Sequence, residues 1–235
     1  MSQLAGRIVL VTGASRGIGR AILERCQEAG ARVVGVGRSL EPQRSEGRLE
    51  TRCDVTQPDQ VHRLAEELER GFGPPDVIVN SAGSFLLKPL ELTTGAEFSR
   101  ELSSNLGSVF NLARTFLPQL RKRGEGGRFI TIGSIADHVA FAGNSAYSAA
   151  KFGVRGLHQV LREEYRGSGI GFTLISPGPT DTAVWDPYPA GHNPGLPARA
   201  DMLRPEDVAE AVVWVAGRPA RVDIEWIRME PARGS

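Results

Sequence analysis

The chain has 235 residues, of which 40% are hydrophobic and 23% charged, a length and composition that suit one α/β domain with a buried core. A formal net charge of +1 argues against nucleic-acid or membrane partners and favours a small-molecule partner. Two cysteines exclude a disulfide-stapled secreted scaffold, and the first apolar run is too short for a signal sequence or a membrane span. The expected compartment is therefore the cytoplasm.

Apolar runs bounded by Gly and Pro alternate with stretches of helical period, which is typical of repeated βαβ units. The pattern predicts a Rossmann-like, doubly wound parallel sheet with helices on both faces, in a single α/β domain that spans residues 1–235. The predicted strands are 7–12, 32–36, 48–53, 76–79, 128–132 and 171–175, with a strand-like tail at 222–229. The predicted helices are 17–29, 59–70, 94–121, 146–165 and 205–216.

Three stretches interrupt this regular alternation. Residues 41–47 form a polar loop between the second and third strands. Pro118 lies inside the helix predicted at 94–121 and should kink or divide it, because proline removes a backbone donor and clashes with the preceding turn. Residues 179–203 are rich in Pro, Gly and Ala and predict a mobile loop that selects the substrate.

The segment TGASRGIG at residues 12–19 follows the first strand and opens the first helix. Glycine permits a tight turn and close approach of the backbone to a pyrophosphate, while the helix N-terminus offers unpaired N–H groups. The glycine spacing differs from the broader dinucleotide fingerprint, so its βαβ position is what favours a nucleotide site over an unliganded turn. The candidate cofactor residues here are Gly13, Ser15, Arg16, Gly17, Ile18 and Gly19.

The end of the second strand favours NADP(H) as the cofactor. An acid about twenty residues after the glycine turn would bind the ribose 2′-hydroxyl of NAD, but Arg38 and Ser39 stand at this point. Arg38, together with Arg16 and the Ser39 hydroxyl, can form charge-assisted hydrogen bonds with a 2′-phosphate. The alternative is that Arg38 is an ordinary solvated loop charge.

Tyr147 and Lys151 are four residues apart in a predicted helix and therefore share one face. A free tyrosine has a pKa of about 10, and a nearby lysine cation favours its phenolate, so Tyr147 can act as a general acid or base. Such pairs are frequent on helix surfaces. Here, however, Ser134 follows the fifth strand at the carboxyl edge, where open α/β sheets bind ligands, and Asn105 interrupts the preceding helix.

Together these segments resemble the short-chain dehydrogenase/reductase family. The match runs in family order through residues 12–19, Asp54-Val55, Asn80-Ser81-Ala82-Gly83, Asn105, Ser134, Tyr147 with Lys151, and Pro177-Gly178. The resemblance implies a catalytic tetrad in which Tyr147 exchanges the proton, Ser134 holds the substrate oxygen, Lys151 bonds the nicotinamide ribose and Asn105 anchors a water. It implies further cofactor contacts at Asp54, Val55, Asn80, Ala82, Gly83, Tyr147, Lys151, Pro177, Gly178, Thr180 and Thr182.

The same resemblance implies an NADP(H)-dependent oxidoreductase that interconverts a small-molecule carbonyl and alcohol. It also implies a homo-oligomer. The choice between dimer and tetramer stays open because residues 222–229 lack the glycine-rich C-terminal segment that is common in tetrameric members of the family. The alternative is a non-catalytic NADP(H)-binding or sensing protein on the same fold. The complete tetrad argues against that alternative, because a binding protein needs no such set.

Several other polar and aromatic residues invite a second interpretation. Asp137 and His138 lie near Ser134, but no Gly-x-Ser-x-Gly elbow surrounds that serine, so a hydrolase triad is rejected and His138 is expected in the pocket wall. The four histidines lack ligand spacing, so no catalytic metal is expected. The substrate pocket or the core should hold the aromatic residues Phe141, Trp185 and Tyr188.

Overall fold

Residues 3–188 and 197–232 are described by a computed structural model, and at their centre lies an eight-stranded sheet. Its strands are β1 (Ile8–Thr12), β2 (Arg32–Gly37), β3 (Gln43–Arg44), β4 (Arg48–Arg52), β5 (Val77–Asn80), β6 (Gly127–Ile132), β7 (Ile170–Pro177) and β8 (Trp226–Met229). Their spatial order is β3-β4-β2-β1-β5-β6-β7-β8. The pairing of β3 with β4 is antiparallel, and all other pairs are parallel.

Six α-helices of the described residues connect these strands. They are α1 (Gly17–Glu28), α2 (Pro58–Gly71), α3 (Gly95–Leu102), α4 (Ser108–Arg123), α5 (Ser145–Glu164) and α6 (Pro205–Ala216). Short 3₁₀ turns lie at Leu90–Leu92, Ile135–Asp137, Ala183–Trp185 and Arg199–Asp201. None of the helices in the described ranges is both long and apolar enough to span a bilayer.

The helices cover both faces of the sheet, as the alternation of side chains along β1 shows. Leu10 packs into one hydrophobic cluster with residues of α2, α4 and α5. Val9 and Val11 point the other way and pack with residues of α1 and α6. Burial on both faces explains why the central strands are almost continuously apolar. The predicted fold class, a Rossmann-like parallel sheet with helices on both faces in one α/β domain, is confirmed.

The predicted helix at 94–121 divides at a different residue from the one expected. Pro118 lies within α4, which continues through it to Arg123. The division comes earlier, at a π-helical segment from Ser103 to Gly107 that separates α3 from α4 and contains Asn105. Buried neighbours on both sides of Pro118, Leu117 and Leu120, hold α4 against the core despite the missing backbone donor.

Two further stretches differ in detail from the prediction. The predicted polar loop at 41–47 contains the two-residue strand β3, which shields the edge of β4. The predicted loop at 179–203 is tied at its ends by a parallel bridge between Thr180 and Leu203. Its central residues 189–196 lie outside the described ranges, so its predicted mobility stays a prediction.

The strand order determines where a ligand can bind. From β1 the chain moves outward to β2 and β4, and then returns to β5 on the opposite side of β1. Helices on the two sides of this switch point diverge, which opens a crevice at the carboxyl ends of β1 and β5. The glycine turn after β1, the segment after β5 and Ser134 after β6 all border that edge.

Candidate active site

A cavity of about 1080 Å³ runs along the carboxyl edge of the sheet. At one end it reaches the glycine turn and the ends of β2 and β4, and at the other it reaches α5 and the segments that follow β5 and β7. Apart from Asn80, every residue that the sequence predicted for the cofactor and the chemistry lines this cavity. The structure therefore brings residues from position 13 to position 182 into one continuous site.

The glycine turn is built for close backbone contact. A Cβ on Gly13 would lie 2.9 Å from the Cα of Ala82, and one on Gly19 would lie 2.3 Å from the carbonyl oxygen of Gly13. Gly17 has a φ of +57°, which side chains rarely adopt. The N-cap residue of α1, Arg16, provides no side-chain cap, so the first N–H groups of the helix are available to an anion. These features fit a dinucleotide pyrophosphate.

Asn80 supports the cavity wall from inside the protein. Its side chain is buried, and its Oδ1 accepts a hydrogen bond of 2.9 Å from Thr12 Oγ1. Thr12 Oγ1 in turn accepts hydrogen bonds of 3.1 Å from the N–H groups of Ser81 and Ala82. Through Thr12, Asn80 Oδ1 thus supports residues 81 and 82 of the cavity wall, and the contact of Asn80 with a cofactor stays a prediction.

Two exposed arginines border the end of the cavity near β2. Arg16 and Arg38 both line the cavity, and neither guanidinium has an ion-pair partner among residues 3–188 and 197–232. Ser39 lies beside them. Asp54 is the single acid among the described lining residues at this end, and its Oδ1 already accepts from the N–H and Oγ1 of Thr56, at 3.0 and 2.8 Å. This end can therefore receive a dianionic phosphate.

The segment after β7 closes the cavity from the opposite side. Gly178 N–H donates to the carbonyl oxygen of Met229 at 2.7 Å, which anchors the segment to β8. Thr180 is buried and donates from Oγ1 to the carbonyl oxygen of Gly178 at 3.0 Å. A Cβ on Gly17 would lie 3.2 Å from Cγ2 of Thr182, so this segment reaches across to the glycine turn.

Tyr147, Lys151 and Ser134 meet at the other end of the cavity, as the sequence predicted. Lys151 Nζ lies 5.5 Å from the centre of the Tyr147 ring and donates to the carbonyl oxygen of Ile132 at 3.1 Å. Ser134 begins a 3₁₀ turn in an extended conformation, and its Oγ accepts from the N–H of Ala136 at 3.1 Å. The end of β6 and one face of α5 thus fix both the hydroxyl and the amine.

The pKa values at this end follow from burial. Burial raises the pKa of Tyr147 to about 12, a hydrogen bond with Ser134 opposes the rise, and the charges of Glu101 and Asp137 add to it. Burial also lowers the pKa of Lys151 to about 8. The pKa of Tyr147 is therefore raised and not lowered as expected, because desolvation of the phenolate is the largest effect on it.

Burial of Lys151 should make the free energy of unfolding depend on pH when no nucleotide is bound. The pKa of Lys151 is about 8 in the folded protein and 10.5 ordinarily. At a pH between these two values the unfolded chain keeps a proton on Lys151 that the folded protein has released, so the free energy of unfolding rises with pH. We expect the free energy of unfolding of wild type, relative to Lys151→Met, to rise by roughly 2 kcal/mol between pH 7 and pH 10. Urea denaturation without nucleotide measures it. Lys122→Met, at an exposed lysine of α4, is the control, and equal pH dependence in both comparisons would contradict the expectation.

Glu101 is a buried carboxylate that lies next to the site, and it was not predicted from the sequence. It is 2% exposed, and its Oε1 accepts from Ser84 Oγ at 2.8 Å. Its Oε2 accepts from Asn105 Nδ2 at 3.1 Å, and burial raises its pKa. The i, i+4 spacing of Glu101 and Asn105 in a predicted helix was the available signal. Asn105 Oδ1 has no hydrogen-bond partner among the described residues, and Gly83 lies against it.

Asp137 holds the backbone of Ser134 in place through a hydrogen bond. It is fully buried, and its Oδ2 accepts from the Ser134 N–H at 3.2 Å and from Ser176 Oγ at 2.7 Å, while Oδ1 contacts His138 Nδ1. His138 stacks on Trp226 with 4.1 Å between ring centres. The expectation that His138 forms the pocket wall is therefore wrong, because Asp137 and Trp226 hold its ring away from the cavity.

A cluster of aromatic residues adjoins the ring of Tyr147. Phe85, which the sequence analysis did not single out, meets Tyr147 edge to face with 5.0 Å between ring centres. Trp185 and Tyr188 lie 5.0 and 5.5 Å from Phe85 on the same measure. Phe141 and Trp185 line the cavity as predicted, whereas Tyr188 packs behind Phe85 and accepts a hydrogen bond from Leu87 N–H.

Comparison with known proteins relates this geometry to characterised ones. The sequence model of the short chain dehydrogenase family matches residues 7–193. The chain is 32% identical to a farnesol dehydrogenase of Aedes aegypti, with 98% of each protein covered. It is similar in structure to the closed form of a serine dehydrogenase complexed with NADP⁺, with a TM-score of 0.84, 28% identity, and 97% of this chain and 96% of that one covered. A metagenomic short-chain oxidoreductase in complex with NADP gives a TM-score of 0.81 and 27% identity, with 99% and 100% covered.

Proposed function

The chain belongs to the short-chain dehydrogenase family and is an oxidoreductase, and from that premise we propose that it uses NADP(H) to interconvert a carbonyl and an alcohol. The observation that carries the proposal is one cavity that joins a phosphate-binding turn to the buried pair of Tyr147 and Lys151. A non-catalytic nucleotide-binding protein has no use for a desolvated tyrosine and lysine beside a serine hydroxyl, so the catalytic alternative is favoured.

Tyr147 is the proposed general acid in the reduction direction. With a pKa of about 12, its hydroxyl is protonated at neutral pH and can donate to the carbonyl oxygen of the substrate. Ser134, held through its N–H by Asp137, donates a second hydrogen bond to the same oxygen and fixes its position. When the cofactor is bound, its nicotinamide supplies the hydride for the carbonyl carbon.

In the oxidation direction the roles reverse. Tyr147 must be a phenolate to take the proton of the alcohol, so oxidation should speed up as the pH rises, while reduction should not. Lys151 is the proposed partner of the nicotinamide ribose, and its protonated form favours the phenolate of Tyr147. Asn105, whose Oδ1 has no hydrogen-bond partner in the described part of the chain, is the proposed anchor for a water that links Lys151 to solvent.

NADP(H) is proposed over NAD(H) because of the charges at the end of β2. Arg16 and Arg38 are exposed cations at the cavity edge, and no described acid opposes them except Asp54, which is already hydrogen bonded to Thr56. Two similar solved proteins are described as complexes with NADP or NADP⁺, which supports the same choice. The names serine dehydrogenase and farnesol dehydrogenase point to unlike substrates and leave the substrate class open.

A panel of ketones, aldehydes and oxo acids, assayed at 340 nm with NADPH and separately with NADH, tests the proposal. We expect reduction of at least one neutral ketone or aldehyde with NADPH, at a higher kcat/KM than with NADH. Nucleotide binding is measured in parallel by fluorescence titration. Tight NADPH binding with no turnover across the panel would favour a binding or sensing protein instead.

A further inference from the structure

The end of the cavity that adjoins Tyr147 has an apolar lining, and this is the end where a substrate must sit. We call it the substrate end and define it as the described lining residues within 84–89, 141–144 and 183–185, together with Pro179. Large apolar side chains dominate it, and they are Phe85, Leu87, Phe141, Pro179, Val184 and Trp185. Apart from Lys88, the described residues of the substrate end have no charged side chain, so a neutral substrate can fit there without a charged partner.

Lys88 is the one cation among the described residues of the substrate end, and it already has a partner. Its Nζ lies 2.8 and 3.0 Å from the two carboxylate oxygens of Glu97. Glu97 is itself fixed at the start of α3, where its Oε2 accepts from the N–H and Oγ1 of Thr94 at 2.8 and 2.9 Å. These contacts, led by the one from Lys88, hold the pKa of Glu97 at about 2, so the ion pair persists over the working pH range.

We propose that the substrate is an uncharged ketone, aldehyde or alcohol that carries an apolar group of aromatic size, and that Glu97 excludes carboxylate-bearing analogues by occupying Lys88. This inference rests on the proposed function and adds the substrate class to it. The aromatic walls offer contact area to a flat or branched apolar group. A carboxylate at the same place would lose its hydration, face a neutralised lysine and lie near a fixed negative charge.

Two compounds with one skeleton test the proposal directly. 4-Phenyl-2-butanone and 2-oxo-4-phenylbutanoate differ only in a methyl group against a carboxylate beside the reacting carbonyl. We expect wild type with NADPH to show a kcat/KM for the ketone at least about 100-fold higher than for the oxo acid. Removing the ring, as in 2-butanone, should lower kcat/KM by about tenfold or more.

The variant Glu97→Gln separates exclusion by charge from a difference in the reactivity of the two carbonyls. Glutamine keeps the hydrogen bond to the Thr94 N–H that starts α3, so the fold is retained, but it leaves Lys88 free to bind a carboxylate. We expect the ketone to oxo acid ratio to fall by about tenfold. The double variant Lys88→Met, Glu97→Gln is the matched control and should restore the ratio, because it has no free cation.

The outcomes separate the substrate class from the proposed function. A wild-type ratio near one, or a preference for the oxo acid, overturns the substrate class while turnover itself upholds the oxidoreductase. A Glu97→Gln ratio equal to that of wild type, in a protein with unchanged circular dichroism, overturns exclusion through Lys88. If neither compound nor any other carbonyl of the panel is reduced, the proposed function has failed instead.

Discussion

Tyr147→Phe is expected to lower kcat/KM for carbonyl reduction by about 10³-fold while NADPH affinity stays within about twofold of wild type. The phenylalanine ring keeps the edge-to-face contact with Phe85 and the position beside Lys151, so the cavity keeps its shape. The variant loses the phenolic hydroxyl, which is hydrogen bonded to Ser134 and is the proposed proton donor. Single-turnover reduction of a good ketone, followed at 340 nm, measures the chemical step without product release.

Tyr165→Phe is a matched control for this variant. Tyr165 is a buried tyrosine that follows α5 and packs on Phe172 and Arg121, away from the cavity. The Tyr165→Phe variant should therefore have the same kcat and KM for the ketone as wild type. If Tyr147→Phe kept more than about a tenth of the wild-type rate, another group would have to be the acid and the proposed role of Tyr147 would be lost.

Much of the candidate site could be predicted from sequence because its residues occur at element boundaries. The glycine turn ends β1, Ser134 follows β6, and the Tyr147–Lys151 spacing depends only on helix geometry. Parallel strands place all their carboxyl ends at one edge, so boundary residues far apart in the chain become neighbours. The prediction needed the order of strands and helices, and it did not need their packing.

The parts that sequence did not predict depend on packing between distant elements. Asn80 was predicted as a direct cofactor contact, but it lies outside the cavity lining, where its Oδ1 accepts from Thr12 of the neighbouring strand. His138 was expected at the wall, but Trp226 of β8 stacks on it, a contact across almost ninety positions of the chain that no local pattern indicates. The pKa of Tyr147 was expected to be lowered by Lys151, and burial raises it.

The interruption of the helix before the site shows the same limit. Proline is the strongest local signal for a break, so Pro118 was the natural prediction. The π-helical segment at Ser103–Gly107 has no such signal, because its cause is tertiary. Asn105 donates to the carbonyl oxygens of Ser84 and Glu101, and Glu101 accepts from Ser84, so contacts with the segment after β5 support the extra residue.

Arg38→Asp is expected to lower the ratio of kcat/KM for NADPH to that for NADH by about 100-fold or more. The substitution removes a charge-assisted hydrogen bond to the 2′-phosphate and places a carboxylate where it would repel that phosphate. The same carboxylate can accept from the 2′-hydroxyl of NADH, so part of the change should be a gain in NADH use. Arg38 has no ion-pair partner within residues 3–188 and 197–232, so its removal breaks no salt bridge that these residues form.

The control for this variant must change the net charge equally without touching the cavity. Arg63→Asp does so, because Arg63 is an exposed residue of α2 that lies outside the cavity lining. If long-range charge alone attracted the extra phosphate, both variants would shift the ratio by similar amounts, and both shifts would vanish at high salt. A direct contact predicts instead a large shift in Arg38→Asp alone that persists at 0.5 M salt, since a hydrogen-bonded pair at close range is screened much less. An unchanged ratio in Arg38→Asp would make Arg38 an ordinary solvated charge, and the cofactor preference would then rest on Arg16 and Ser39.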